Sequence, residues 1–188
     1  MIRRKTKQIS VGGVVVGGDA AVSVQSMTNT PTQDTAATLA QLRALEDAGC
    51  DIARVTVPDE ESARALYIYK SSGLKMPIVA DIHFSARLAV LAAEAGADKI
   101  RINPGNIGGD DKVKLVVDAC KARNIPIRIG VNSGSLEKHI LEKHGRPSPE
   151  ALAESAFLTA CSMPPQQGTS IRTTVTFLMS LLRRISVS

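Results

Sequence analysis

The sequence predicts an α/β protein built on a parallel sheet, and three observations carry that prediction. Five apolar runs rich in Val, Ile and Ala start at residues 22, 52, 78, 99 and 126, the spacing of right-handed strand–helix units. Between them lie segments with apolar residues at helical spacing, closed by glycines at 49, 73 and 96. The 188 residues are 44% hydrophobic and 22% charged, enough to bury one core as a globular domain. Open doubly wound sheets and closed (β/α)8 barrels both begin this way, and periodicity alone does not choose between them.

Residues 9–16 come first, a small hairpin whose valine-rich arms flank the two-residue turn Gly12-Gly13. The run 22–28 is the first strand of the sheet and opens into the polar loop Asn29-Thr30-Pro31-Thr32-Gln33. A helix over 34–48 follows, with Leu39, Leu42 and Leu45 at helical spacing and Gly49 as its stop. The second strand, 52–57, leads through Pro58 to Asp59-Glu60-Glu61, an acidic start that suits the positive end of a helix dipole. The third strand is 78–83, and Ser85 caps the alanine-rich helix that ends near Gly96. The fourth runs from Lys99 to Asn103, then turns through the glycines of Pro104-Gly105-Asn106-Ile107-Gly108-Gly109 to a helix over 111–123 capped by Asp110. The fifth is 126–132, and a long polar loop reaches Ser148-Pro149, the cap and first position of a last helix through 160.

Composition narrows the function. Aromatics make up 3% of the chain and Trp is absent, which argues against stacking on nucleic-acid bases. The net charge of +5 is spread among Asp and Glu rather than gathered into a basic stripe, so a small anion is a better partner than a polyanion. No apolar run approaches the eighteen or so residues of a membrane span, and Met1-Ile2-Arg3-Arg4-Lys5 leads into a glycine-rich stretch rather than a signal-peptide core. A cytoplasmic protein without membrane or nucleic-acid partners is expected. Cys50, Cys120 and Cys161 are odd in number and far apart, which reads as reduced, buried thiols rather than a disulfide frame or metal site.

The chemistry lies in the strands. A parallel strand covered on both faces is nearly all apolar, yet four successive strands break that rule on one face. Arg54 and Thr56 alternate with Val55 and Val57, Asp81 and His83 with Ile82, Arg101 and Asn103 with Ile102, and Arg128 and Asn132 with Ile129 and Val131. Strand alternation sends each polar set to one face, near the C-terminal strand ends where α/β proteins bind ligands. Three guanidiniums converging there would repel one another unless a multiply charged anion lay between them, and a diphosphate is the economical ligand. Asp81 offsets part of the charge, and Asn103 and Asn132 both donate and accept. His83 is a candidate proton shuttle, with Asp81 beside it. His139 and His144 fall in the polar loop and are expected on a solvated surface, since their i,i+5 spacing does not suit a helical metal pair.

Four motifs in order make the sequence recognisable: Val24-Gln25-Ser26-Met27-Thr28-Asn29-Thr30, Val79-Ala80-Asp81-Ile82-His83-Phe84, Arg101-Ile102-Asn103-Pro104-Gly105-Asn106-Ile107-Gly108, and Ile127-Arg128-Ile129-Gly130-Val131-Asn132-Ser133-Gly134-Ser135-Leu136-Glu137-Lys138. Over about residues 9–160 the chain resembles the bacterial 4-hydroxy-3-methylbut-2-enyl diphosphate synthases of the non-mevalonate isoprenoid pathway. That resemblance implies an incomplete TIM-type (β/α) barrel of about five βα units preceded by the hairpin. It implies reductive ring opening of 2-C-methyl-D-erythritol 2,4-cyclodiphosphate to the hydroxymethylbutenyl diphosphate. It also implies a 4Fe–4S cluster on a separate C-terminal domain, a flavodoxin or ferredoxin electron donor, and a homodimer in which each cluster domain caps the other barrel. By motif position Arg54, Arg101, Asn103, Arg128 and Asn132 match substrate-anchoring groups, and Asp81 and His83 match mouth residues.

The likeness stops short of the family's end. Residues 1–161 are expected to form a partial substrate-binding barrel and 162–188 an aberrant or unrelated tail, without the cluster domain. No acidic residue follows Glu154, so the family's glutamate near the cluster has no counterpart here. The chain is therefore expected to bind no cluster, to hold no metal and to be inactive alone. Two other readings stand beside this one: another phosphate-binding barrel enzyme of the pterin-diphosphate transferase kind, and a non-catalytic anion-binding or interaction fragment.

Overall fold

The computed structural model describes residues 6–162 and 174–175. The hairpin is present: β1 (Ile9–Val11) pairs antiparallel with β2 (Val14–Val16), Val11 opposite Val14. Gly12 and Gly13 take φ of 53° and 96°, the left-handed pair that a two-residue hairpin turn requires.

Strands and helices then alternate as expected: β3 (Gln25–Met27), α1 (Thr35–Asp47), β4 (Ile52–Thr56), α2 (Glu60–Ser71), β5 (Ile78–Ile82), α3 (Ala86–Glu94) and β6 (Lys99–Ile102). After them come α4 (Pro104–Ile107), α5 (Asp110–Ala122), β7 (Ile127–Ile129), a 3-10 turn (Ser133–Ser135), α6 (Lys138–His144), α7 (Pro149–Ser162) and β8 (Thr174–Val175). Ser85 and Ser148 cap helices as expected, and Asp34 and Asp59 are caps as well. Asp34, Asp59, Ser85 and Ser148 accept from the backbone N–H groups of Ala37, Ser62, Leu88 and Ala151, each satisfying a donor that the first helical turn leaves unpaired.

β3 to β8 form one parallel sheet in chain order, and among the described residues β3 and β8 do not meet, so the barrel is unclosed. Its outer face is apolar. Val55, Ile78, Ile82, Ile100, Ile102, Ile127 and Ile129 pack with Leu42, Leu66, Tyr69, Val116 and Val117 of the helices in one core. Its inner face begins in a separate cluster, where Ile52 and Val79 meet Ile9 and Val11 of the hairpin. The hairpin thus covers the inner face at the N-terminal strand ends. A Cβ at Gly12 would stand 2.6 Å from Pro77 Cβ and 2.8 Å from Asp98 Oδ1, so the turn fits there only as glycine.

The structure departs from the sequence reading at five points. The first sheet strand is cut to three residues, with Val22 and Val24 exposed. Residues 104–107, read as a glycine loop, form a helical turn with Pro104 at its start, where proline's fixed φ is tolerated. Gly109 rather than Asp110 holds the cap position of α5, and Asp110 is its first helical residue. The polar loop before Ser148 contains α6, stopped by Gly145 at φ 71°, a left-handed C-terminal glycine that could have been read. A sixth parallel strand, β8, lies beside β7, with Thr174 opposite Arg128; two residues carry no periodicity to announce it. Apart from Thr174–Val175 and the last residue of α7, the expected aberrant tail lies outside the described residues. No helix among the described residues is long and apolar enough to cross a membrane.

Candidate active site

The polar face of the sheet converges on one carboxylate. Parallel register sets Thr56 beside Asp81, Asp81 beside Arg101, and Arg101 beside Arg128. Arg101 Nη1 donates to Asp81 Oδ1 at 2.9 Å, with both side chains almost fully buried. Arg54 Nε lies 3.5 Å from Asp81 Oδ2, and its guanidinium also rests 3.1 and 3.3 Å from Met27 Sδ across the β3–β4 register. His83 Nε2 stands 3.8 Å from the same Oδ2, beyond hydrogen-bond distance, and its ring packs on Phe84 with centroids 5.9 Å apart.

Arg128 completes the set, with no carboxylate of its own among the described residues. Burial holds its guanidinium below the usual arginine range, the charges of Arg54 and Arg101 push the same way, and Asp81 opposes them. Three guanidiniums therefore face one carboxylate, and only Arg54 and Arg101 pair with it. Arg128 Nε is buried with no hydrogen-bond partner. So is Asn103 Oδ1, while Asn103 Nδ2 donates to Ser135 Oγ at 2.7 Å. An unspent donor and an unspent acceptor, both dry, mark positions that a ligand's polar groups can satisfy.

Backbone choices hold this arrangement. Gly130 follows Arg128 on the inner face, and a Cβ there would lie 2.5 Å from Arg101 Nε and 2.7 Å from Nη2. Glycine at 130 is what leaves room for the Arg101 guanidinium to reach Asp81. Gly105 does the same for the turn that carries Ser135, since a Cβ there would fall on the Ser135 carbonyl oxygen.

Arg54, Asp81, Arg101 and Arg128 are thus brought together, with Asn103 and His83 at the same strand ends. Asn132 is not: it lies past the end of β7, exposed, with only its carbonyl engaged, accepting from Ser135 N–H at 3.1 Å. His144 is not free in solvent but partly exposed in a surface pair. It bonds Glu154 at 2.7 Å, beside the Lys143–Glu154 ion pair at 2.8 Å, and so ties α6 to α7. Those two partners, Lys143 first, hold Glu154 below the usual carboxylate range. Sequence reasoning passed over Lys99, which is 5% exposed on the inner face, and Gly130. Parity with Arg101 and Arg128 was the signal for both.

The family model described as "GcpE TIM-barrel domain" matches residues 6–172. The chain belongs to the GcpE TIM-barrel domain family. The 4-hydroxy-3-methylbut-2-en-1-yl diphosphate synthase (flavodoxin) of Pseudomonas aeruginosa is 62% identical over 157 residues, which cover 84% of this chain and 42% of that protein. The proteins of the same name from Maridesulfovibrio salexigens and Acidithiobacillus ferrooxidans are each 58% identical over 155 residues, covering 82% of this chain. The chain spans about 42% of the length of these curated relatives.

The family's iron–sulfur chemistry finds no ligand set among the described residues, where no three His, Cys, Asp or Glu side chains are grouped to hold a metal ion. Cys120 is fully buried in α5 and burial pushes its thiol up to about 12, whereas a cluster ligand is a thiolate. Cys50 lies just before β4, at the opposite end of the sheet from the arginines, donating to the Ile52 carbonyl at 3.2 Å. These two thiols do not fit a cluster beside the mouth.

Proposed function

We propose that residues 1–161 are the substrate-holding portion of a 4-hydroxy-3-methylbut-2-en-1-yl diphosphate synthase. The observation that carries this reading is the sharing of one carboxylate, Asp81, by Arg54 and Arg101, with Arg128 beside them unpaired among the described residues. That leaves two positive charges for a multiply charged anion. In this reading Arg54, Arg101 and Arg128 take the diphosphate oxygens of a cyclic diphosphate of methylerythritol as charge-assisted hydrogen bonds. Asp81 keeps two of the forks aimed. Asn103 Oδ1 accepts from a substrate hydroxyl, and Asn132 joins from the exposed rim. His83, half-exposed at the mouth, carries a proton to or from the substrate's oxygen. The reaction is the reductive opening of the cyclic diphosphate, with electrons from a flavodoxin as in the relatives' names. Among the described residues none is assigned to the cluster that delivers them, and this reading expects the chain by itself to bind substrate without reducing it. A cytoplasmic homodimer is the assembly this reading expects.

Calorimetry of the 188-residue chain with the cyclodiphosphate, set against free methylerythritol, tests the reading. Binding of the first and not the second is expected. Equal binding of both, or of neither, overturns it. Anaerobic reconstitution should leave far fewer than the roughly four irons per chain of a 4Fe–4S cluster.

A further inference from the structure

We propose that Lys99 is a fourth cation of the mouth, meeting a second phosphoryl group of the same anion from beneath Arg101. This rests on the reading above and extends it to a residue that the sequence motifs do not include. Lys99 opens β6 and shares its inner face with Arg101, about 6.6 Å further along at the rise of a strand. Register places it beside Val79 of β5, at the level where the hairpin's apolar plug gives way to the arginines. It is 5% exposed, and lysine is almost never buried so deeply unless it is paired.

No pairing partner is at hand. The inner face offers Asp81 and His83 on β5, Arg54 on β4, Arg101 on β6 itself and Arg128 on β7. Asp81 is engaged by Arg101 and Arg54. Asp98, next in sequence, is engaged by Lys70 Nζ at 2.6 Å and by Ile78 N–H at 2.8 Å. Among the described residues Lys99 therefore has no anion, only the positive Arg128. Burial and Arg128 together lower its amine to about 8. A buried cation beside other cations, one strand level below Arg101 and with no carboxylate at hand among the described residues, is arranged for a ligand rather than for the fold. A diphosphate has the two charged centres that Arg101 and Lys99 can hold at once, whereas a monophosphate reaches one level only.

The test is binding of inorganic pyrophosphate to the 188-residue chain and to Lys99→Arg and Lys99→Met, each checked for folding by circular dichroism. With the free amine at about 8, roughly a tenth of it is charged near pH 9. The unaltered chain should therefore lose about tenfold in affinity between pH 7 and 9 relative to Lys99→Arg, whose guanidinium does not titrate there. Lys99→Met should be weak already at pH 7. If a variant fails to fold, carbon NMR of the lysine ε-methylene in the unaltered chain decides: saturating pyrophosphate should raise the Lys99 midpoint by a unit or more. Pyrophosphate binding with one pH profile in all three proteins, or an unmoved midpoint, overturns the role of Lys99 alone. Failure of all three to bind pyrophosphate at any pH overturns this inference and the reading it rests on together.

Discussion

On β6, Ile100 and Ile102 are fully buried among helix side chains, while Lys99 and Arg101, alternating with them, are buried on the other face among charges. The outer face repeats this on β5 and β7 with Ile78, Ile82, Ile127 and Ile129, all at 0% exposure. The inner face changes character along its length, from Ile52 and Val79 under the hairpin to Asp81 and three arginines at the far end. Equal burial thus serves opposite ends. Apolar burial on one face stabilises the fold, and charge burial on the other costs stability that only partners or a ligand offset.

That contrast breaks most visibly in the outer core. Ile102→Ala removes a fully buried side chain between β6 and the helices and is expected to cost about 3 kcal/mol. Urea denaturation should show the loss, while pyrophosphate affinity of the folded fraction stays within twofold. On the inner face, Asp81→Asn strips the shared partner from Arg101 and Arg54. A loss on the order of 3 kcal/mol is expected, as for one member of a buried pair, together with altered anion binding.

Lys99→Met should move stability in the other direction. The folded amine at about 8 lies below its ordinary value of 10.5, so native Lys99 opposes folding fully below pH 8. The penalty fades as pH rises toward 10.5. The variant should be more stable at pH 7 by on the order of 3 kcal/mol, with the advantage gone by about pH 10.5. Thermal melts across that range check both size and slope. A smaller effect is expected for Gly130→Ala, whose Cβ would displace the Arg101 guanidinium from 2.5 Å. Pyrophosphate affinity should fall by about tenfold, or 1.4 kcal/mol, with the melt lowered less than in Asp81→Asn because Asp81 keeps Arg54.

Much of this contrast was legible in the sequence because it is written in a period of two. Arg54, Asp81, Arg101 and Arg128 sit one residue from Val55, Ile82, Ile102 and Ile129, and alternation alone assigns them to opposite faces. Caps at Ser85 and Ser148 were legible for a similar reason: a side-chain oxygen three residues before a helical N–H is a local signal. What alternation does not encode is depth. Lys99 and Arg101 have the same parity, and only tertiary packing shows that Lys99 is buried without a carboxylate. Asn132 shares that parity, but it lies past the end of the regular strand and stays exposed at the rim. The pairing of His144 was missed because α6 is short, and its partner Glu154 lies on the next helix.

The central claim is that Arg54, Arg101 and Arg128 act jointly on one anion, and calorimetry of pyrophosphate against Arg54→Met, Arg101→Met and Arg128→Met tests it most directly. Each substitution removes a charge-assisted contact and should weaken binding by about 2 kcal/mol, roughly thirtyfold. The losses should be non-additive in pairs, because the three share one ligand. Unchanged affinity in all three variants would contradict the account.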